Sequence, residues 1–388
     1  MDIGLSCTVW AGGVRAGHLD GIGTYSRALW QGLNEVSQST AADIHIKPYA
    51  FGRDLPRLPC GVPEQLAVRF PVHALLSGIL KLPLANSAAI RRDVDLFHAT
   101  DHHIPRIAGV PTVATIMDVI PMLHPEWIKN DLRSLKSWLF NTAIRKADHI
   151  ITISEFSKQD MVEHLKIAPE RISVTPLGVE PVYFERIDAA QRQAVLDKHG
   201  LKPGFFLFVG TLQPRKNLPR ILQAFKQLPA DVRKEHPLVI VGRDGWNNEE
   251  LLPQLATLEQ QGEGRWLSYL PQTDVMALLQ SAQALMFPSL YEGFGLPVIE
   301  AFAAQCPVIA SNSTSVPEVA GDAAWPVDPY SVDSISQAMA EVLSQPALRA
   351  EKVERGLARA RSYTWNECAR QTLAVYGKVL GKPLRQAG

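Results

Sequence analysis

The amino-acid sequence predicts an α/β protein of two domains, each built on a doubly wound parallel β-sheet. Short apolar runs rich in β-branched and aromatic residues alternate with helix-length stretches along the whole chain. Several of these runs end in Gly, Pro, Asp or Ser, as strands of a parallel sheet buried on both faces do. The chain has 388 residues, which suits two or three domains of ordinary size. Alternating strand–helix units form open sheets, each with a ligand crevice at the carboxyl ends of its strands.

Six apolar runs in the first half predict the strands of an N-terminal domain that spans residues 1–180. These runs are Ile3–Val9, Ile44–Tyr49, Leu96–Ala99, Val113–Ile116, Ile150–Ile153 and Ile172–Thr175. The helix-length stretches between them are Gly23–Glu35, Leu132–Ala147 and Glu155–Leu165.

Five further runs predict a C-terminal domain that spans residues 195–365. These runs are Phe205–Val209, Leu238–Val241, Trp266–Leu270, Ala284–Phe287 and Pro307–Ala310, with helical stretches at Leu218–Gln227 and Pro297–Ala304. The break between the domains contains the polar, helix-like stretch Asp188–His199, followed by Gly200, Pro203 and Gly204. We expect the two Rossmann-like domains to face each other across a cleft.

Composition and charge exclude several classes of protein. The 39 Lys and Arg residues balance 39 Asp and Glu residues, which argues against a nucleic-acid partner. Four scattered cysteines (Cys7, Cys60, Cys306 and Cys368) form neither a disulfide framework nor a zinc-type spacing, and they fit a reducing, cytoplasmic setting. The N-terminus has no basic region of the kind that begins a signal peptide. No apolar run approaches the roughly 18 residues of a transmembrane helix.

The most informative stretch runs from Glu292 to Glu300 and reads Glu-Gly-Phe-Gly-Leu-Pro-Val-Ile-Glu. Pro297 sits where the first turn of a helix tolerates proline. Gly293 and Gly295 let the backbone approach a ligand, and the free N–H groups of a helix start point at an anion. We expect Glu292 in the loop and Glu300 in the first helical turn. An anion cradle between two carboxylates suits a nucleotide-sugar; the alternative is an ordinary strand–helix junction with an acidic residue favouring the helix dipole.

A second informative segment, Gly210 to Asn217, follows the first strand of the C-terminal domain and contains Arg215 and Lys216. Two adjacent cations before a helix can neutralise a diphosphate leaving group, Arg through a bidentate fork and Lys as a point charge. A solvated basic turn is the alternative. The position favours the ligand site, because an α/β crevice opens at the carboxyl ends of the strands. The turn Val241–Trp246 follows the next strand. It could form one wall of a site for the nucleotide base, or it could serve only to pack the domain.

Taken together, these residues resemble the retaining glycosyltransferases of family 4, which have the two-domain GT-B fold. The resemblance rests on Glu292 and Glu300 with seven residues between them, on the Gly-Phe-Gly-Leu-Pro within that spacing, and on Gly210 and Pro214–Asn217. Two strand-end segments, Ser154–Ser157 and Pro176–Val179, also look like the family, and the likeness covers nearly the whole chain.

The resemblance implies roles for these positions in a donor-binding C-terminal domain. Arg215 and Lys216 would hold the donor diphosphate, Glu292 would face the donor sugar, and Glu300 would bind the ribose hydroxyls. Gly210 would lie in the same donor site, and Phe294, Gly295 and Leu296 would offer backbone N–H groups to sugar and phosphate. A last helix, residues 366–380, would cross back to the N-terminal, acceptor-side domain. Because two cations supply the positive charge, neither a metal ion nor a cofactor is expected.

Gly21 and Gly23 lie between the first predicted strand and the first predicted helix. Two glycines there would let a loop press against a diphosphate, assisted by the helix dipole. The glycines of this region do not form the G-x-G-x-x-G of a dinucleotide-binding fold. The resemblance points instead to the glycine loop of the family, near the acceptor and the donor phosphates.

The chain departs from the family at Met117, where many members have a histidine before the aspartate that is Asp118 here. A thioether cannot carry a proton. Either Asp118 and the backbone suffice, or His102, His103 or His124 reaches in, or the chemistry is weak. The family's front-side mechanism needs no strong protein base, since the departing phosphate oxygen can take the acceptor proton.

Two further patterns resemble metal sites, but neither is good evidence for one. Asp93-Val94-Asp95 spells the D-x-D of metal-dependent glycosyltransferases, but it precedes a strand in the wrong fold context. His102 and His103 could bind zinc, but adjacent residues rarely give two good ligands. We predict no metal site.

Residues 53–92 combine basic and apolar character. They carry Arg53, Arg57, Arg69, Lys81, Arg91 and Arg92 against Asp54 and Glu64 alone, and contain the apolar segment His73–Leu84. Such a segment could dock on an anionic bilayer; the alternative is a helix packed on the sheet with solvated flanks. A lipid-linked acceptor would make docking useful. We therefore expect a cytoplasmic protein, with the packed helix favoured and a peripheral contact at the inner face of the cytoplasmic membrane kept as the second hypothesis.

The leading hypothesis is a retaining glycosyltransferase that moves a hexose from a nucleotide-diphosphate sugar to a polysaccharide or lipid-linked oligosaccharide, as in O-antigen biosynthesis. Segments Gly242–Trp246 and Met117–Pro121 look most like the mannosyltransferase branch, which favours GDP-mannose. A non-catalytic nucleotide-sugar-binding homologue or partner subunit is the alternative, motivated by Met117. A glycoside hydrolase using the two glutamates fits poorly, because it needs no diphosphate cradle.

Overall fold

The structure is a computed structural model that describes residues 1–40, 44–127, 133–246 and 248–382. The chain divides into two compact units: residues 1–178 with the chain from Trp365 onward, and residues 179–364. Each unit has its own parallel sheet and its own hydrophobic core. No helix in the described part of the chain is long and apolar enough to cross a membrane.

The first unit contains a seven-stranded sheet among the described residues. Its strands are β1 (Asp2–Ser6), β2 (His45–Ala50), β3 (Glu64–Gln65), β4 (Leu96–Ala99), β5 (Thr112–Thr115), β6 (His149–Thr152) and β7 (Ile172–Val174). The helices are α1 (Thr8–Ala16), α2 (Gly21–Thr40), α3 (Phe70–Ile79), α4 (Ser87–Asp93), α5 (Ile120–Leu123), α6 (Arg133–Ile144) and α7 (Glu155–Leu165). All strand pairs are parallel, in the order β3-β2-β1-β4-β5-β6-β7.

The six strands predicted for this half are confirmed, with one boundary corrected and one further strand added. The first strand ends at Ser6, and α1 replaces its predicted end. The short edge strand β3 was not predicted, because its two residues are polar and exposed. The helix predicted from Leu132 begins outside the described residues; the structure gives α6 from Arg133.

The second unit contains a six-stranded sheet among the described residues. Its strands are β8 (Phe206–Val209), β9 (Leu238–Val241), β10 (Gly264–Leu267), β11 (Ala284–Phe287), β12 (Val308–Ser311) and β13 (Trp325–Val327). The helices are α8 (Ala189–His199), α9 (Leu218–Gln227), α10 (Ala230–Glu235), α11 (Leu251–Gln260), α12 (Gln272–Leu279), α13 (Leu296–Ala303), α14 (Val316–Ala320), α15 (Val332–Ser344) and α16 (Pro346–Ser362). The strand order is β10-β9-β8-β11-β12-β13.

The last described helix, α17 (Trp365–Val379), belongs to the first unit, where it packs on α2. The rings of Tyr25 and Trp365 lie 6.2 Å apart. A Cβ at Gly32 would lie 2.8 Å from the Trp365 carbonyl oxygen, so glycine allows this close approach. The Tyr376 hydroxyl lies 2.6 Å from Nδ1 of buried His98 on β4. Apolar packing and a buried hydrogen bond thus fix α17 to the first sheet.

Candidate active site

The chain reverses its winding direction at the centre of the second sheet, between the paired strands β8 and β11. From β8 the chain continues to β9 on one side, and from β11 it continues to β12 on the other. Loops that leave two neighbouring strands in opposite directions open a crevice at the carboxyl ends of those strands. The loop after β8 carries Arg215 and Lys216, and the loop after β11 carries Glu292. The topology therefore brings together two segments that are far apart in sequence.

Arg215, Lys216 and Glu292 form one cluster of charges. Arg215 Nη1 donates to Glu292 Oε2 at 2.7 Å, and Lys216 Nζ donates to Glu292 Oε1 at 2.6 Å. The Glu292 side chain is only 9% exposed. Burial by itself raises the pKa of Glu292, but the charges of Arg215 and Lys216 outweigh it and lower the pKa to about 2. The ionised carboxylate leaves one net positive charge on the cluster, two cations minus one anion, at the mouth of the crevice.

Three neighbouring side chains fix the two loops to each other. Asn217 adopts a φ of 63°, and its buried Nδ2 donates to the carbonyl oxygens of Pro288 at 2.9 Å and Pro329 at 2.6 Å. Ser315 Oγ donates to the Glu292 carbonyl oxygen at 2.8 Å, and Thr314 Oγ1 accepts from the Glu292 N–H at 3.3 Å. Sequence reasoning missed Thr314 and Ser315; their position just after β12 on the same sheet edge is the signal that could have found them.

The start of α13 supplies the expected anion-binding backbone. Gly295 caps this helix with a φ of +114°, a conformation that favours glycine. The backbone N–H groups of Phe294, Gly295 and Leu296 have no hydrogen-bond acceptor within the described ranges. Gly210, with a φ of +153°, lies where a Cβ would come 3.8 Å from Lys216 Cε. Free N–H groups at a helix start beside a cationic cluster are suited to phosphate oxygens.

Glu300 lies in the second turn of α13, not in the first turn as predicted, because the helix begins at Leu296. Burial and the charge of Glu180 raise the pKa of Glu300 to about 7, while its interactions with the Tyr183 hydroxyl and the Lys216 charge act in the opposite direction. Nothing in the sequence indicated Tyr183, which comes from the 3₁₀ turn Pro181–Phe184. Glu300 therefore shares the electrostatic field of the cluster and changes its charge near neutral pH.

In the first unit, the predicted glycine loop proves to be the first turn of α2, and α1 intervenes between it and β1. The expectation of a loop at Gly21 and Gly23 is therefore wrong. The Gly23 N–H donates to Asp20 Oδ1 at 2.8 Å, which caps the helix start. A Cβ at Gly21 would meet no atom within 4 Å, so open space lies in front of this turn.

Met117 and Asp118 directly follow β5 at the carboxyl edge of the first sheet, as predicted. The Met117 carbonyl oxygen accepts from Ser157 Oγ at 3.0 Å, and Asp118 Oδ1 accepts from the Ile120 N–H at 3.1 Å. The His124 ring stacks on Trp127 at 3.9 Å. The Asp118 carboxylate thus accepts a hydrogen bond from the first N–H of the short helix α5.

His102 and His103 follow β4 at the same edge and adjoin the buried Asp101. His103 Nδ1 lies 2.7 Å from Asp101 Oδ1. Burial alone raises the pKa of Asp101, but the charges and hydrogen bonds of His103 and the charge of His102 bring it to about 2. Ligand atoms of the three residues lie within 4.8 Å of one another, so this group could hold a metal ion. Asp93 and Asp95 of the D-x-D pattern lie at the amino end of β4, where Lys47 and the Asp2 N–H bind them.

Comparisons with known proteins agree with this geometry. Residues 37–183 match the family described as Glycosyltransferase Family 4, and residues 191–359 match Glycosyl transferases group 1. The chain is 33% identical over 282 residues to O-antigen chain mannosyltransferase B of Escherichia coli, which covers 72% of this chain and 74% of the relative.

Solved structures share the fold at low sequence identity. Sucrose-phosphate synthase of Thermosynechococcus elongatus is similar with a TM-score of 0.74 and 17% identity, covering 98% of this chain and 99% of that one. HepE of Anabaena, solved in complex with UDP-glucose, is similar with a TM-score of 0.72 and 16% identity, covering 97% of this chain and 100% of that one. The chain thus belongs to the family 4 glycosyltransferases and has their GT-B fold of two Rossmann-like domains.

Proposed function

We propose that this glycosyltransferase moves mannose from GDP-mannose to a polysaccharide or a lipid-linked oligosaccharide, with retention of configuration and without a metal ion. The proposal rests on the contacts of Arg215 and Lys216 with Glu292. These contacts lie where the winding direction of the second sheet reverses, and they put two cations where a diphosphate would bind. The E. coli relative, by its name a mannosyltransferase of O-antigen chains, supports the choice of sugar and acceptor.

The proposed reaction breaks the bond between the mannose anomeric carbon and the β-phosphate oxygen. Negative charge grows on the departing diphosphate, and Arg215, Lys216 and the N–H groups of α13 stabilise this charge more in the transition state than in the ground state. The acceptor hydroxyl attacks from the face that the diphosphate leaves, and its proton passes to the departing phosphate oxygen. This route needs no histidine at Met117. Glu292 stays ionised beside the sugar and holds both cations in place.

Replacing Lys216 tests the role of the cationic cluster. Lys216→Ala should lower turnover with saturating GDP-mannose by roughly 100-fold or more, because a preorganised charge at the leaving group is lost. Lys226→Ala is the matched control, since Lys226 lies exposed near the end of α9. Wild-type turnover in the Lys216 variant would show that this lysine does not stabilise the leaving group.

The choice of donor can be tested by thermal denaturation with GDP, UDP, ADP, CMP and their sugar conjugates. A nucleotide that binds only the folded protein, supplied at 100 times its dissociation constant, stabilises it by about 2.7 kcal/mol. We expect GDP and GDP-mannose to raise the melting temperature most. A larger shift with UDP would overturn the assignment of GDP as the donor nucleotide, but not the assignment of the protein as a glycosyltransferase.

We also propose that α3 and the turn after it contact the anionic inner face of the cytoplasmic membrane. Val72 and Leu80 are 53% and 57% exposed, and Leu75, Leu76 and Leu82 are exposed beside them. Arg69 and Lys81 flank this apolar surface, as in segments that combine insertion with charge attraction. Leu76→Glu should abolish co-sedimentation with anionic vesicles. Unchanged co-sedimentation would place any membrane contact elsewhere.

A further inference from the structure

The first unit contains a cavity of about 770 Å³ between α3 and α6, at the amino ends of β5 and β6. Four cationic side chains line it: Lys81, Arg106, Arg145 and Lys146. Its lining includes one carboxylate, Asp148, whose Oδ2 already accepts the Thr112 N–H at 2.7 Å. We propose that this cavity is a second anion site, which binds a phosphate group. The cavity lies at the amino ends of the strands, whereas Gly21 and Asp118 lie on the side of their carboxyl ends. The proposal does not rest on the proposed transfer reaction.

The cations of the cavity lack counter-ions. Within the described residues, none of the four forms an ion pair with a carboxylate. Lys146 Nζ instead donates to Ser77 Oγ at 2.9 Å. Burial and the charge of Arg106 lower the pKa of Lys146, which means that the folded protein holds two mutually repelling cations close together. A bound anion would relieve this repulsion.

Helix dipoles explain why some of these cations line the cavity, but not all of them. Helices α3 and α6 both end at the cavity, and helix carboxyl ends favour cations such as Lys81, Arg145 and Lys146. Arg106 lies in the loop before β5, far from either helix end in sequence. Its side chain is partly buried, and in the described part of the chain its guanidinium has no hydrogen-bond partner. A guanidinium without a described hydrogen-bond partner and a half-buried ammonium line the same cavity, which suggests a ligand that accepts from both.

A phosphate group has the chemistry that these residues require. A guanidinium can bind two phosphate oxygens at once, and an ammonium binds as a point charge. The Ser77 hydroxyl and the backbone of Gly78 line the same wall. The volume exceeds that of a phosphate alone and is in the range of ligand pockets. The phosphate would therefore carry a substituent, as a soluble phosphate ester or a phospholipid headgroup does.

The test uses the full chain in a Lys216→Ala background, so that phosphate binding at the donor site is weakened. Inorganic phosphate is titrated by calorimetry, and in a second arm the protein is co-sedimented with phosphatidylcholine vesicles with and without phosphatidic acid. Arg106→Gln should weaken binding in at least one arm by about 10- to 100-fold, as expected for one charged hydrogen-bonding partner. Lys202→Gln, an exposed cation of the second unit, is the matched control.

The two arms separate the sources of the phosphate. Binding of inorganic phosphate that depends on Arg106 indicates a soluble ester, whereas Arg106-dependent binding only to phosphatidic-acid vesicles indicates a lipid headgroup. Arg106→Gln removes no described side-chain contact, so the variant should fold, and Lys146→Gln gives a second, independent change. If both variants bind phosphate and vesicles as tightly as their parent, the cavity is not a phosphate site.

Discussion

One carboxylate, that of Glu292, is shared between two cations, and we expect this sharing to determine how the site responds to a diphosphate. A diphosphate bound at the proposed site would compete with Glu292 for hydrogen bonds from Arg215 and Lys216. We therefore expect Glu292→Gln to tighten GDP binding by about three- to tenfold, since removing the carboxylate frees charge-assisted donors. Turnover should fall, because the cations lose their fixed positions. Calorimetric GDP titration and a GDP-release assay measure the two effects, and weaker GDP binding would contradict the competition.

Glu300 makes stability depend on pH in a direction opposite to that of most carboxylates. Its folded pKa of about 7 lies above the ordinary value of 4.5, so the folded chain retains a proton that the unfolded chain loses. This contribution to stability is fully present below pH 4.5 and is lost as the pH rises through 7. Glu300→Gln should be about 1–3 kcal/mol more stable than wild type at pH 8 and equal to it near pH 4.5. Urea denaturation at both values measures the difference.

A contrary result at Glu300 would also be informative. If the variant and the wild type differ equally at both pH values, the carboxyl group titrates in its ordinary range. The electrostatic link to Glu180 and Lys216 would then be too weak to affect the donor site.

At the scale of elements, two glycines should respond in opposite directions to the same substitution. Gly295→Ala places a Cβ at a φ of +114° and should destabilise the protein by about 1–2 kcal/mol, besides weakening GDP binding at the start of α13. Gly12 lies within α1, where a Cβ would meet no atom within 4 Å. Gly12→Ala should therefore stabilise the protein by about 0.5–1 kcal/mol. Thermal denaturation of the pair is the measurement; equal effects would show that φ does not control the first site.

The elements that the sequence predicted correctly share one physical property. Strands β9 and β11 are apolar and buried on every residue, and β4 is buried throughout and apolar except at His98, so their composition alone distinguishes them from surface segments. The element β13 was missed because Pro326 interrupts it, and proline is tolerated there only since β13 lies at the sheet edge. Helix α1 was missed because its apolar residues continue directly from β1.

The charge cluster that we propose as the donor site was also largely predictable, because motif and topology coincide. Arg215, Lys216 and Glu292 follow the two strands where the winding reverses, and short loops leave little freedom in where these side chains lie. The cavity on the first unit was not predictable. Arg106 and Lys146 come from segments separated in sequence by β5, α5 and α6, and only tertiary packing brings them to one cavity.

At the scale of the whole molecule, two separate cores predict two unfolding events. The cluster of Arg215, Lys216 and Glu292, proposed as the donor site, lies in the second unit, as do Asn217, Thr314 and Ser315, which fix its loops. GDP at 100 times its dissociation constant should therefore raise only one of two calorimetric transitions, by an amount that corresponds to about 2.7 kcal/mol. Scanning calorimetry with and without GDP tests this. An equal shift of both transitions would mean that the units unfold together.

The return of α17 to α2 has a consequence for synthesis of the chain. The face of α2 that carries buried Tyr25 and Gly32 is covered by α17, which begins only at Trp365. Residues 179–364, or 364 − 178 = 186 residues, must leave the ribosome between the two parts. At about 5–20 residues per second, this apolar face waits roughly 10–40 seconds for its cover. We therefore expect the nascent N-terminal half to expose this apolar face until α17 has been made.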